Sequence, residues 1–157
     1  MTERVDCCIT LSRQFSASAA EVYEAWITPH IMRHWLAPGP NVVVHIETEP
    51  RIGGALLIRS QAPDGALHTI NGVYRDLVPG RRIVMTWTYT GPFALISGME
   101  TLIEISLHRD SDTRTTMTFT QSQFASREAG AAYEGDWPSC FEKLTTVLAL
   151  PVQPKRK

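Results

Sequence analysis

The reactive side chains of this 157-residue chain are few, and their spacing decides what chemistry is open to them. His30 and His34 stand four apart in a segment of helical periodicity, the separation that lets two imidazoles on one helix face share a zinc ion. Between them lie Ile31, Met32 and Arg33, so the glutamate that completes such a site is missing. Cys7, Cys8 and Cys140 are too scattered for a zinc finger, and no metal is expected. Neither a Gly-x-Ser-x-Gly elbow nor a Cys-His signature is present for nucleophilic catalysis. Gly53-Gly54 lacks the Lys-Ser/Thr sequel of a phosphate loop and precedes a strand. His68 with Asp76 meets the residue-type requirement for an acid–base pair, a coincidence common by chance. No catalytic residue and no cofactor is therefore assigned.

Polar candidates for a binding site are more numerous. His68, Tyr74 and Asp76 share one parity of a strand, so their side chains leave the sheet on the same face. The plain reading of Tyr74 is a half-buried strand residue with a wet hydroxyl. Arg13 falls on the apolar parity of the first strand, where a guanidinium needs an acid or a ring of acceptors. It is a candidate anchor for a ligand carboxylate, against the plainer reading of a structural ion pair or a solvated strand end. Glu49 and Arg51, two apart just before Gly53-Gly54, are expected to pin a bend, and His45 with Glu47 to form an outer polar stripe. Trp35, Met85, Trp87, Met99, Met117, Phe119, Tyr133, Trp137 and Phe141 form an aromatic and methionine set. Each alone reads as core; together they are candidates for a cavity wall, since pockets are mostly apolar with a few placed polar groups.

The elements that carry these residues follow from hydropathy period. Val5, Cys7, Ile9, Leu11 and Phe15 alternate as in a half-buried strand. Ser18 with Glu21 makes a capping box for a helix Ala19–Ile27 that buries Val22, Tyr23 and Trp26. Thr28-Pro29 starts a second short helix whose apolar face is Ile31, Met32, Trp35 and Leu36, ended by Pro38-Gly39-Pro40. Val42, Val44 and Ile46 then alternate with Val43, His45 and Glu47. Strands Ala55–Gln61 and Leu67–Leu77 flank the turn Pro63-Asp64-Gly65, and Ile83, Met85, Trp87 and Tyr89 share the next inward face. Met99, Thr101, Ile103, Ile105 and Leu107, then Thr115, Met117 and Phe119, give the last two strands. Tyr133, Trp137, Phe141, Leu144 and Leu148 recur at helical spacing. One strand, two short helices, six strands and a long helix predict an α+β chain, its antiparallel meander covered on one face by the terminal helix.

Composition narrows the class. With 15 basic and 16 acidic residues the net charge is −1, so binding to nucleic acid by counterion release is not expected. No apolar run reaches the ~18 residues of a membrane span, and the start of the chain lacks the basic-then-apolar order of a signal peptide. Three cysteines, two of them adjacent, suit a reduced, cytoplasmic setting. One domain is expected over residues 1–150, with 151–157 a frayed tail.

The order of elements and several short motifs resemble the helix-grip fold of the START-like SRPBCC superfamily. Within it, the chain resembles the family related to the C-terminal domain of the activator of heat shock protein 90 ATPase. The marks are Arg13-x-Phe15-x-Ala17, Val22-x-x-Ala25-Trp26, Trp35, Glu49-Pro50-Arg51-Ile52-Gly53-Gly54, Asp64-Gly65 and Gly72-x-Tyr74-x-Asp76. Pro79-x-x-Arg82-Ile83-Val84-x-Thr86-Trp87 and Gly135-x-Trp137 complete them. Two departures stand out: Glu49 replaces the usual aspartate, and Asp136 separates Gly135 from Trp137, with Pro138 following. The resemblance implies a curved sheet of about six to seven strands wrapped on the terminal helix, with two short helices between the first two strands. It also implies a cavity between sheet and helix for a small hydrophobic molecule, lipid-like or aromatic, lined by the aromatic and methionine set with His68 and Tyr74. The alternatives are a co-chaperone-like module for heat shock protein 90 and an enzyme of polyketide cyclase or hydrolase type. Without the companion domain of the eukaryotic activator, heat shock protein 90 is not the expected partner; a homodimer is left open.

Overall fold

The computed structural model describes residues 8–149. Val5 and Cys7 of the first alternation, the chain start and the expected tail 151–157 lie outside them. The elements run β1 (Ile9–Phe15), α1 (Ala19–Ile27), α2 (Pro29–Met32), β2 (Val42–Thr48), β3 (Ala55–Gln61), β4 (Leu67–Val78), β5 (Arg82–Thr90), β6 (Glu100–Ser111), β7 (Arg114–Ser122) and α3 (Arg127–Ala149). The strands form one seven-stranded antiparallel sheet in the order β1-β7-β6-β5-β4-β3-β2. Strands β2 to β7 are therefore a meander, and α1 and α2 carry the chain from one sheet edge to the other. This is the expected α+β architecture.

Helix α1 begins as its sequence dictates. Glu21 N donates to Ser18 Oγ at 3.1 Å and Ser18 N donates to Glu21 Oε1 at 2.8 Å, the reciprocal capping box. Thr28 does not cap α2 with its side chain; its hydroxyl donates instead to Glu24 Oε1 at 2.8 Å, and α2 closes after one turn. Trp35 and Leu36 are buried all the same, from the turn that follows.

The bend before β3 is built by backbone. Gly53 adopts φ +87°, and a Cβ on Gly54 would sit 1.9 Å from the Glu49 carbonyl oxygen. The Glu49 carboxylate fixes this bend by accepting from Ala55 N at 3.0 Å, while its approach to Arg51 is 3.9 Å and exposed. The signature pair thus acts through the acid and the main chain more than through an ion pair.

Strand β2 departs from simple alternation. A register shift between Val43 and His45 turns Val43 and Ile46 to the core and leaves Val42 and Val44 exposed. His45 Nε2 lies 2.6 Å from Glu47 Oε2 on the solvent side, as the expected polar stripe. A second shift, in β4 between Tyr74 and Asp76, breaks the shared parity of His68 and Asp76. Asp76 pairs with Arg82 Nε at 3.3 Å, and Arg82 also reaches Glu104. Eight residues of strand, at ~3.3 Å each, separate His68 from Asp76. They form no acid–base pair.

The core lies between the sheet and α3. Trp26 of α1 is its centre, with ring centroids 4.6 Å from Trp35, 6.1 Å from Phe119, 6.0 Å from Trp137 and 6.4 Å from Phe141. Its indole N–H meets Met117 Sδ at 3.4 Å, and the Trp35 indole donates to Ala25 O at 3.0 Å. Helix α3 continues through Pro138, although a proline removes one N–H from the ladder. A buried polar chain ties it to the sheet. Trp137 Nε1 donates to Gln121 Oε1 at 2.8 Å, Gln121 Nε2 to Thr101 Oγ1 at 2.8 Å, and Thr101 Oγ1 to Trp87 O at 2.7 Å. Each buried polar atom along that path is satisfied. Among the described residues no helix is long and apolar enough to cross a membrane.

Candidate functional site

A cleft enclosing about 70 Å³ opens where α3 parts from the β3–β5 half of the sheet. Ile58 and Ser60 of β3, His68 and Ile70 of β4, and Trp87 and Tyr89 of β5 form its floor. Tyr133, Asp136, Trp137 and Cys140, successive turns of one face of α3, form its roof. Leu36, Pro38 and Asn41 close one end, and Phe93 and Ile96 the other.

Both ends are held in place. Lys143 donates to the carbonyls of Ala37 and Asn41, and Gly39 N donates to Ser139 Oγ at 3.0 Å, fastening the Pro38-Gly39-Pro40 loop to α3. At the other end Gly98 N donates to Tyr89 O at 2.7 Å, and Phe93, 55% exposed, lays its ring 5.3 Å from His68.

Four polar groups converge on the cleft. His68 Nδ1 and the Tyr89 hydroxyl are 2.5 Å apart, with both residues buried. Tyr89 Oη also accepts from Phe93 N at 3.4 Å, so one hydroxyl joins β5 to both His68 and the Phe93 segment. Tyr133 is buried with its hydroxyl unpartnered. Burial, then Asp136 and Tyr89 nearby, push that phenol above its ordinary range. Asp136 is half-buried; desolvation raises its carboxyl and His68 pulls it partly back. Burial also raises Tyr89, against the Phe93 N–H, which lowers it. The Cys140 thiol is pushed up to about 12, chiefly by burial, and so is not a nucleophile.

Of the residues singled out in the sequence, the cleft brings together His68, Trp87, Tyr133 and Trp137. Trp35, Met85, Met117, Phe119 and Phe141 are packed in the solid core beneath it. Met99 is half-buried, its sulfur accepting from Ala125 N at 3.0 Å. Tyr74 is fully buried away from the cleft, its hydroxyl unpartnered and raised by burial and by Tyr23; it is not wet. Arg13 is half-exposed on β1, with its guanidinium carbon 6.0 Å from the Phe141 ring centroid, and does not reach the cleft. A half-exposed arginine beside a ring needs no acid.

Among the cleft residues that the sequence does not single out as site candidates are Tyr89 and Asp136. Tyr89 shares the inward parity of Trp87, and Asp136 is the insertion that separates Gly135 from Trp137. His30 and His34 are exposed, with rings 6.2 Å apart. Among the described residues no group of three His, Cys, Asp or Glu side chains is placed to hold a metal ion.

A seven-stranded antiparallel sheet gripping one long helix, with a cleft between them, defines a protein of the START-like, SRPBCC helix-grip class. The chain belongs to the family described as Activator of Hsp90 ATPase homolog 1-like protein, whose model matches residues 16–149. Solved structures agree. Protein CV1439 from Chromobacterium violaceum is 25% identical with a TM-score of 0.81, over 92% of this chain and 99% of that one. The AHSA1 protein from Silicibacter pomeroyi is 15% identical with a TM-score of 0.78, over 91% and 98%. A protein from Arthrobacter aurescens, 18% identical with a TM-score of 0.78 over 93% and 88%, shares the fold. No curated protein matches the sequence.

Proposed function

We propose that the chain binds a small, ring-sized apolar molecule in the cleft between α3 and strands β3 to β5. The observation that carries this reading is the cleft's chemistry: Trp87, Trp137, Ile58 and Ile70 supply apolar walls, and a few polar groups converge at one side. That combination is what orients a ligand while burial supplies the affinity. Size selects the ligand class. A dry cavity of ~150 Å³ holds benzene, and this cleft encloses about 70 Å³. A lipid chain would need far more room, whereas an aromatic ring can enter in part and project past Phe93. The walls are pre-formed, because Lys143, Ser139 and the Trp137–Gln121–Thr101 chain hold them, so little ordering opposes binding.

A calorimetric titration with benzyl alcohol tests the reading. A saturable isotherm accompanied by a rise in melting temperature supports it, since a ligand of the native state stabilises by mass action. Absence of both removes it. The co-chaperone alternative rests on the family's description alone. A saturable stimulation of a heat shock protein 90 ATPase by this chain would put that reading first; little stimulation is expected.

A further inference from the structure

We propose that the cleft is selective for organic cations, a small aromatic amine being its ligand class, with Asp136 as counter-ion. This inference rests on the cleft being a binding site. Asp136 is the one carboxylate on the wall, and no lysine or arginine lines it. Its position is unusual for a carboxylate: half-buried on the apolar face of α3, it has no salt-bridge partner among the described residues. One turn away, the buried Tyr133 hydroxyl has no hydrogen-bond partner. A carboxylate and a free phenol oxygen are acceptors, and an ammonium is a donor with no acceptor of its own. Trp87, Tyr89 and Trp137 bring three aromatic rings to the wall, and π systems attract a cation and repel an anion. Lys143, two turns further along α3, is spoken for by the carbonyls of Ala37 and Asn41, which leaves His68 as the wall group that offsets the Asp136 charge in part. The environment agrees, since desolvation raises the Asp136 carboxyl and a bound ammonium would relieve that strain on its ionised form.

The direct test compares three probes of one shape, benzylamine, benzyl alcohol and benzoate, titrated into the intact protein at neutral pH. Benzylamine is expected to bind at least ~10-fold tighter than benzyl alcohol, and benzoate to bind weakest. Asp136→Asn should bring the amine-to-alcohol ratio close to one, and Tyr133→Phe should lower it ~2- to 5-fold. Benzoate binding as tightly as benzylamine to the wild type, or a ratio unchanged by Asp136→Asn, overturns the proposal. The wild-type comparison stands alone if a variant fails to fold. Should benzyl alcohol bind with no preference for the amine, the cation proposal falls while the binding cleft survives. Should none of the three bind, the binding cleft itself falls.

Discussion

Trp87 on β5 and Trp137 on α3 stand with ring centroids 5.3 Å apart, where the floor and the roof of the cleft meet. Their separation is set by the polar chain behind them, in which Gln121 accepts from the Trp137 indole and donates to Thr101. Gln121 is fully buried, so replacing it by an apolar residue strands the Trp137 indole N–H with no route to solvent, while the Thr101 hydroxyl keeps its bond to Trp87 O. Gln121→Leu should destabilise by ~1–3 kcal/mol in urea unfolding. A neutral effect would mean that the chain does not hold α3 to the sheet.

The four tryptophans divide into two populations. Trp26 is surrounded by Trp35, Phe119, Trp137 and Phe141, and Trp26→Ala should cost about 3–5 kcal/mol or abolish folding. Trp87 borders the cleft and already lacks contacts on that side, so Trp87→Ala should cost less. Denaturation midpoints measured side by side check the order; equal losses would make the Trp87 site solid core.

Asp136 gives stability a particular pH dependence. Its carboxyl is raised in the folded protein above the ordinary 3.8 by burial, with His68 opposing. Below both values it is protonated in the folded and the unfolded chain and contributes nothing. As pH rises, the unfolded chain ionises first, and stability falls until the folded carboxyl has ionised too. Asp136→Asn removes that loss. The variant should match the wild type near about pH 3 and melt higher at neutral pH, modestly because the group is part-exposed. A variant that melts lower at neutral pH contradicts the assignment.

The bend at Gly53-Gly54 offers a contrast between backbone and surface charge. Gly54→Ala drives a Cβ into the Glu49 carbonyl and should cost more than ~2 kcal/mol. Arg51→Ala removes only an exposed, 3.9 Å approach and should change stability by less than about 1 kcal/mol. Thermal melts of the two variants decide; the reverse order would restore the ion pair to the central role.

The fold was legible because its signals are local. The Ser18–Glu21 box, the Pro63-Asp64-Gly65 turn and the alternations of β5, β6 and β7 specify elements without reference to anything distant. Errors fell where a backbone irregularity resets parity: the bulge in β2 exposed Val44, and that in β4 parted Asp76 from His68. Inward parity also cannot distinguish a core residue from a cavity wall. Met85 and Trp87 share a strand face, yet of the two Trp87 meets the cleft, beside Phe93, Ile96 and the α3 residues, while Met85 is packed in the core. Asp136 was visible as a departure from the family's motif, but its use depends on His68, Tyr89 and Tyr133, which arrive from distant parts of the chain.

The central claim, that the Trp87–Trp137 cleft binds a ring-sized ligand, is tested most directly by the indole N–H resonances of ¹⁵N-labelled protein during a benzyl alcohol titration. Trp26 and Trp35 are locked in the core, their N–H groups on Met117 Sδ and Ala25 O, and should scarcely move. Trp87 and Trp137 line the cleft and should shift together along one saturable curve. Four unmoved resonances at saturating benzyl alcohol, or shifts confined to Trp26 and Trp35, would contradict it.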